Sequence, residues 1–407
     1  MSDTDVASGI PKKKRSFFLT SLPLFIIAHA AHHVLTALPQ PMLPYMQQEF
    51  GLNYARSAAI TSAFALSSGA AQLPSGILAD RLGPTILITI GILGVAIAGL
   101  FVGLSHSYVM LIFFMVIMGI AAGGYHPAST PLISMSVPVH QRGRALGLHL
   151  IGGNASFFLA PIIAGGIAAI WGWRGAYLAM SIPTAILGIF FFLYLNRRYG
   201  RQQIEAMKKR QTAEQPPQPG YKRRLWAFMI MMVLGGGAGA SVRAFLTLYM
   251  VNDLGTSKEV AAMALAIVYS SGLWAGPLGG WLSDRFGSAR VIIATGILNG
   301  LLIFALKEAT LGMNLWVVLW IMGVNQAIRY PVTEVFIIHQ SPARHRSTIY
   351  GIYYSTMQYT GAIFAPILGT FIDNHGFNVV FTFSALAVTI IAIVTAVFIW
   401  DAKDFHH

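Results

Sequence analysis

The chain has 407 residues, of which 10% are Asp, Glu, Lys or Arg and 55% are apolar, against about 25% charged in a soluble globular protein. A net charge of +13 would suggest nucleic acid, but the basic residues gather at the ends of apolar stretches and leave no basic face for such a partner. The chain contains no Cys, so disulfides, thiolate nucleophiles and Cys-ligated metals are excluded as well.

In chain order, a basic tail over residues 1–16 carries Lys12, Lys13, Lys14 and Arg15. Six uncharged apolar stretches follow, roughly at 17–43, 56–79, 84–104, 108–134, 145–171 and 175–196. Each approaches or exceeds the ~20 residues that cross a bilayer. The first is too long for a cleaved signal segment and is expected to stay in the protein. Residues 197–224 hold Arg and Lys runs and then Gln215-Pro216-Pro217-Gln218-Pro219-Gly220, the composition of a linker whose cations meet anionic lipid headgroups. Six more stretches follow near 225–250, 259–282, 291–306, 313–338, 347–371 and 377–400, and 401–407 form a closing tail. Without period-2 alternation these are helices and not barrel strands. The expected fold class is an all-α membrane protein of twelve transmembrane helices in two six-helix bundles, 17–196 and 225–400.

Sidedness follows from the cations. Segments on the side of the termini carry 21 Lys and Arg, and the opposite segments carry four: Arg56, Arg174, Lys258 and Lys307. The positive-inside rule then places both termini and the linker in the cytoplasm.

The two halves repeat at a constant offset. Gly76-Ile77-Leu78-Ala79-Asp80-Arg81-Leu82-Gly83 returns as Gly280-Trp281-Leu282-Ser283-Asp284-Arg285-Phe286-Gly287, 204 residues later. The same offset pairs Gly51 with Gly255, Gly119 with Gly323, Pro127 with Pro331, Asn154 with Gln358 and Gly172 with Gly376. Six spans return the chain to its starting side, so the halves are parallel repeats.

This duplicated segment resembles the signature of the major facilitator superfamily, and the resemblance covers about residues 17–400. It implies secondary transport by alternating access, a monomer, a small-molecule substrate and an integral position in a bacterial or archaeal cytoplasmic membrane. It also implies that Gly76, Asp80, Arg81, Gly83 and their copies Gly280, Asp284, Arg285, Gly287 form a conformational latch. There the Gly lets helices approach and the Asp acts on a helix N-terminus. The chain departs from the pattern in three places. Pro84-Thr85 replace basic residues after the first copy, Met115 stands where proton-coupled members have an Arg in span 4, and the span-5 Gly-Pro motif survives only as Ala160-Pro161. Gly123-Gly124-Tyr125-His126-Pro127-Ala128 is similar to a stretch of fosmidomycin-resistance-like transporters.

Of 14 acidic residues only Glu334 lies well within a span, and Arg243 and Arg329 are the cations that cannot easily reach an interface. A charge at mid-bilayer costs ~3 kcal/mol or more, so each is a candidate for function. Two arginines against one carboxylate leave a surplus positive charge, suited to an organic anion held by planar guanidinium forks. The blander alternatives are a permanent Arg329–Glu334 pair and an Arg243 that reaches the outer interface. His29, His33 and Thr36 share a face of span 1 by their four- and three-residue spacing, with His32 one step off. In the resembled fold spans 1, 4, 7 and 10 line the path. Arg243, Arg329, His126, Tyr125, Tyr330, His33, Asn154 and Gln358 are therefore the expected substrate residues, and Glu334, His126 and His29 the expected proton carriers. Pro127 and Pro331 are expected to kink spans 4 and 10. Efflux of amphipathic drugs is the alternative function. A receptor or intramembrane enzyme is the alternative class, but no nucleophile–base set, metal motif or phosphate loop appears, so neither an enzyme activity nor a cofactor is expected.

Overall fold

The computed structural model describes residues 17–137, 142–199, 219–340 and 346–402. The tail 1–16, most of the 197–224 linker and residues 403–407 lie outside the described residues, as do the side chains of Asp80, Arg81, Asp284 and Glu334.

Every regular element among the described residues is a helix. Seven are long and apolar enough to cross a membrane, and an eighth is the bent pair Lys258–Leu273 and Ala275–Ser283. Two helices, Arg142–Arg198 and Arg346–Ile399, are 57 and 54 residues long, too long for one crossing at 1.5 Å per residue. Each reverses at a glycine with a left-handed backbone, Gly172 (φ 67°) and Gly376 (φ 77°), which resolves spans 5 and 6 in one and spans 11 and 12 in the other. Gly51 and Gly255 (φ 59° and 69°) and Gly83 and Gly287 (φ 92° and 87°) form two more such pairs. Positive φ is costly for residues with a Cβ, so the repeat read from glycine positions is a repeat of backbone turns. Asn53 and Ser257, also 204 apart, cap the helices that follow by accepting from Arg56 and Val260 N–H groups at 2.9 and 3.3 Å. A side-chain acceptor at the N-cap supplies one of the partners the first helical turn lacks.

The outside of the bundle is apolar. Ile170, Trp171, Trp226, Phe383, Val397 and Trp400 are each more than two-thirds exposed, with the tryptophans at helix ends, where indoles sit at bilayer interfaces. The protein is an integral membrane protein built from two repeated helical halves. The halves meet along span 2 (Tyr54–Leu82) against span 11, and span 5 against span 8. Small residues allow the approach: a Cβ on Gly369 would come within 2.9 Å of Ala55, and one on Gly165 within 3.3 Å of Ala262.

Among the described residues, hydrogen bonds between the halves gather at the end opposite the termini. Asp373 accepts from the N–H groups of Tyr54 (2.9 Å) and Ala55 (3.2 Å) at the exposed N-terminus of span 2. Tyr45 donates to Glu259 at 2.6 Å, Asn252 to Gln47 at 2.9 Å, Thr247 to the Gln40 carbonyl at 3.0 Å, and Lys258 to Gln48. These contacts tie the two halves together at that end.

A Cβ on Gly76 or Gly280 meets nothing within 4 Å among the described residues. Gly83 and Gly287 supply the positive-φ turns that end spans 2 and 8.

Candidate functional site

Span 10 is the helix Met313–Gln340. Asn325 and Gln326 stand four residues before Arg329 and Tyr330, so all four occupy adjoining turns of one face. That face looks into a cavity of about 110 Å³ in the C-terminal half, lined also by Arg243, Asn299, Thr333 and Tyr353. Methionines 231, 232 and 357 complete much of the wall.

Glycine makes the room. A Cβ on Gly296 would sit 3.1 Å from the Arg329 guanidinium, and one on Gly239 2.8 Å from Asn299. Arg329 donates to the Ile292 carbonyl at 3.3 Å and touches the Met231 sulfur at 3.7 Å, long contacts that leave most of its five donors unused. Arg243 lies in the last turn of the helix Tyr221–Ala244, where the helix dipole favours a cation. Among the described residues it has neither a hydrogen bond nor an ion pair. Its side chain joins the cavity wall. Acceptors are present too: the Asn325 and Gln326 carbonyl oxygens are buried without a partner. The cavity is thus a mostly apolar concavity that carries two guanidiniums and no described carboxylate.

The N-terminal half holds a different site, built from imidazoles. Span 4 breaks at Gly123-Gly124 between the helices Tyr108–Ala122 and Tyr125–Met135. The backbone stays right-handed helical through both glycines, and Tyr108–Thr130 is one span; Pro127, four residues beyond Gly123, has no N–H to offer that carbonyl, so the ladder is interrupted where the missing bond falls. Pro331 lies inside its helix. Span 3 carries a π-helical turn, Ile90–Gly94, which loosens the local ladder. The Gly91 carbonyl there accepts from His32 Nδ1 at 2.7 Å, and Gly91 leaves room for Tyr125, whose Cβ would be 2.7 Å from a Cβ at that position.

Around this break the rings stack. Tyr125 lies parallel to His32 (4.4 Å between centroids) and His29 (5.5 Å), and His29 is stacked on His149 at 4.2 Å. His33 and His126 bring their Nε2 atoms to 3.2 Å, and His33 is 4.8 Å from His29 by ring centroids. His33 and Thr36 do share a face of span 1, with Nδ1 and Oγ1 3.1 Å apart.

The structure thus divides the sequence candidates. It gathers Arg243, Arg329 and Tyr330 in one cavity and His29, His33 and His126 in another cluster. Tyr125 is completely buried and stacks against His29 and His32. Asn154 donates to the Gly272 carbonyl at 2.9 Å, at the bend of span 8, and Gln358 packs beside Gly69 at the contact of spans 2 and 11. Both are therefore placed between the halves and outside the arginine cavity. Sequence reasoning missed Asn299, Asn325, Thr333 and Tyr353. The signal for Asn325 was available in its four-residue spacing from Arg329; that for Asn299 was not, because only packing brings span 9 to this wall.

A family model described as Major Facilitator Superfamily matches residues 25–267 and again 227–406. "Multidrug resistance protein MdtG" of Proteus mirabilis is 27% identical over 368 residues, covering 86% of this chain and 89% of that protein. The protein of the same name from Yersinia enterocolitica is 26% identical, covering 92% and 91%. Among solved structures, a POT family transporter in complex with 5-aminolevulinic acid superposes with a TM-score of 0.75 at 15% identity, over 93% of this chain and 95% of that one. A bacterial homologue of the human lysosomal transporter Spinster, inward-facing and unoccupied, gives 0.72 at 16% identity, over 93% and 95%. These likenesses carry the fold.

Proposed function

Since the chain belongs to the Major Facilitator Superfamily, we propose that it is a secondary transporter that moves a small organic anion by alternating access. One observation carries the substrate class: Arg243 and Arg329 line the same cavity, and no described carboxylate neutralises them. Two buried or half-buried guanidiniums are stabilised by an anion that takes bidentate hydrogen bonds. Tyr330, Gln326 and Asn325 supply further polar atoms to orient it. The methionine wall adapts to apolar bodies of varied shape, which favours amphipathic anions.

Export is the favoured direction, because the relatives at 23–27% identity carry a multidrug-resistance name. The same name supports the second reading, efflux of amphipathic drugs of broader charge. The likeness of residues 123–128 to fosmidomycin-resistance-like transporters rests on those six residues alone. With termini in the cytoplasm, the end at which these contacts tie the halves together faces outward and the Gly76–Gly83 and Gly280–Gly287 segments form the cytoplasmic latch. Proton coupling is assigned to Glu334, the one acidic residue well within a span, five residues beyond Arg329 on the same helix.

Purified protein in proteoliposomes, given a panel of carboxylates, phosphonates and sulfonates alongside lipophilic cations, tests the reading. Flux of one or more anions that is lost in Arg243→Gln and Arg329→Gln supports it. Flux of cations alone, unaffected by both variants, would overturn the anion assignment in favour of the broader drug reading.

A further inference from the structure

The imidazole cluster is not absorbed by the arginine cavity, and its hydrogen bonds fix its chemistry. His29 Nδ1 lies 2.9 Å from the His149 carbonyl oxygen, which can only accept, so Nδ1 carries the hydrogen and Nε2 an open lone pair. Thr36 Oγ1 donates to the His33 carbonyl at 3.3 Å, so its oxygen accepts from His33 Nδ1–H and His33 Nε2 is likewise a lone pair. These two nitrogens converge with one from His126. A single N–H on His126 can serve only one of them, and the 3.2 Å contact shows that it serves His33. His29 Nε2 is then left buried, in a residue 2% exposed, without any hydrogen-bond partner. A buried unpaired lone pair is costly, and an electron-pair acceptor placed among the three rings would relieve it.

We infer that His29, His33 and His126 form a binding site for a divalent first-row transition metal of the zinc class. One ligand atom from each residue lies within 4.8 Å of the others. The closest pair already stands near the separation of about 3.3 Å that two nitrogens adopt at about 2.0–2.1 Å from one tetrahedral ion. Imidazole is the ligand type suited to zinc, cobalt, nickel and copper rather than magnesium or calcium. The second contacts are those of metal-bound histidine, whose other ring nitrogen donates to a carbonyl or hydroxyl oxygen. Space is kept as well: Gly153 faces the rings, and a Cβ there would come within 3.0 Å of His29 Nε2 and 3.1 Å of His33 Cδ2. Three neutral imidazoles leave the ion doubly charged with its fourth position open, so an ion held here takes hydroxide or another small anion as its fourth ligand. The sequence alone did not show this site because the third ligand comes from span 4, 93 residues after His33.

Metal-free protein without a purification tag of histidines is titrated with Co²⁺ in detergent, in the absence of organic anions. The expected result is one Co²⁺ per chain with the intense ligand-field absorption of a four-coordinate ion, displaced by Zn²⁺. His126→Gln and His33→Gln each weaken binding at least about tenfold, and Gly153→Ala, which fills the space before His29 without removing a ligand, weakens it too. Each variant is checked for an unchanged elution profile and melting temperature. No Co²⁺ spectrum in the folded wild type, a six-coordinate spectrum, or binding that survives all three variants would each overturn the site. The readout needs no transported substrate, so its failure is separate from a failure of the anion reading.

Discussion

Span 10 lies against span 8 backbone to backbone at Gly323. A Cβ built on Gly323 would stand 2.0 Å from the Val268 carbonyl oxygen, 2.8 Å from its carbon and 3.0 Å from its Cα. Ordinary contact begins near 3.4 Å, so Gly323→Ala must part the two helices by roughly 1.4 Å along that line. The obstruction is backbone and cannot rotate aside. Overpacking of this kind costs about 1–3 kcal/mol, and the absence of a flexible side chain among the three nearest atoms puts the cost at the upper end. Gly323 precedes Arg329 by six residues, so the same displacement moves Asn325, Gln326 and Arg329 relative to the cavity wall. Thermal unfolding in detergent, followed by intrinsic tryptophan fluorescence, should show Gly323→Ala melting several degrees below wild type, with reduced anion flux. Gly166→Ala, at a helical position where a Cβ meets nothing within 4 Å, is the control and should melt within about 1 kcal/mol of wild type. Equal melting of Gly323→Ala and wild type would refute the close approach of spans 8 and 10.

Arg329→Lys keeps the charge and loses the planar fork, so kcat/KM for the transported anion should fall about tenfold or more, the worth of a charged hydrogen bond at about 1.5–3 kcal/mol; wild-type flux would remove Arg329 from the site. Glu334→Gln should abolish the response of flux to an imposed proton gradient while leaving downhill exchange, and a retained response would reassign the coupling. Asp373→Asn weakens an exposed charge–dipole contact worth about 0.3–1 kcal/mol, so the outward-open population should rise about two- to fivefold. Because the chain has no Cys, single cysteines introduced near Gln40 report that change directly by their labelling rate. An unaltered rate would mean that the Asp373 contact does not hold the outer end closed.

Composition and periodic glycine placement carry a great deal of this fold. Ten percent charge over 407 residues admits no large soluble core, and glycines 51, 83 and 172 with their copies at 255, 287 and 376 announce turns that only a residue without Cβ makes cheaply. Mid-span Arg243 and Arg329 are legible as candidates for the same reason: lipid offers no partner to a charge, so their positions alone demand an explanation.

What tertiary structure decided is which of these groups meet. Tyr125 and His126 are neighbours in sequence on the same helix, yet one stacks against His29 and His32 and the other faces His33. Gln358 and Asn154 match by the repeat, and both fall between the halves. The break at Gly123-Gly124 and the π-turn at Ile90–Gly94 re-aim side chains by angles that no residue spacing predicts, because they depend on which neighbouring helix fills the gap. Local sequence determined where helices run and turn, since those follow from backbone sterics and transfer to lipid. The grouping of arginines in one cavity and imidazoles in another depended on long-range packing, which brings together Arg243 and Arg329 across 86 residues of chain and His33 and His126 across 93.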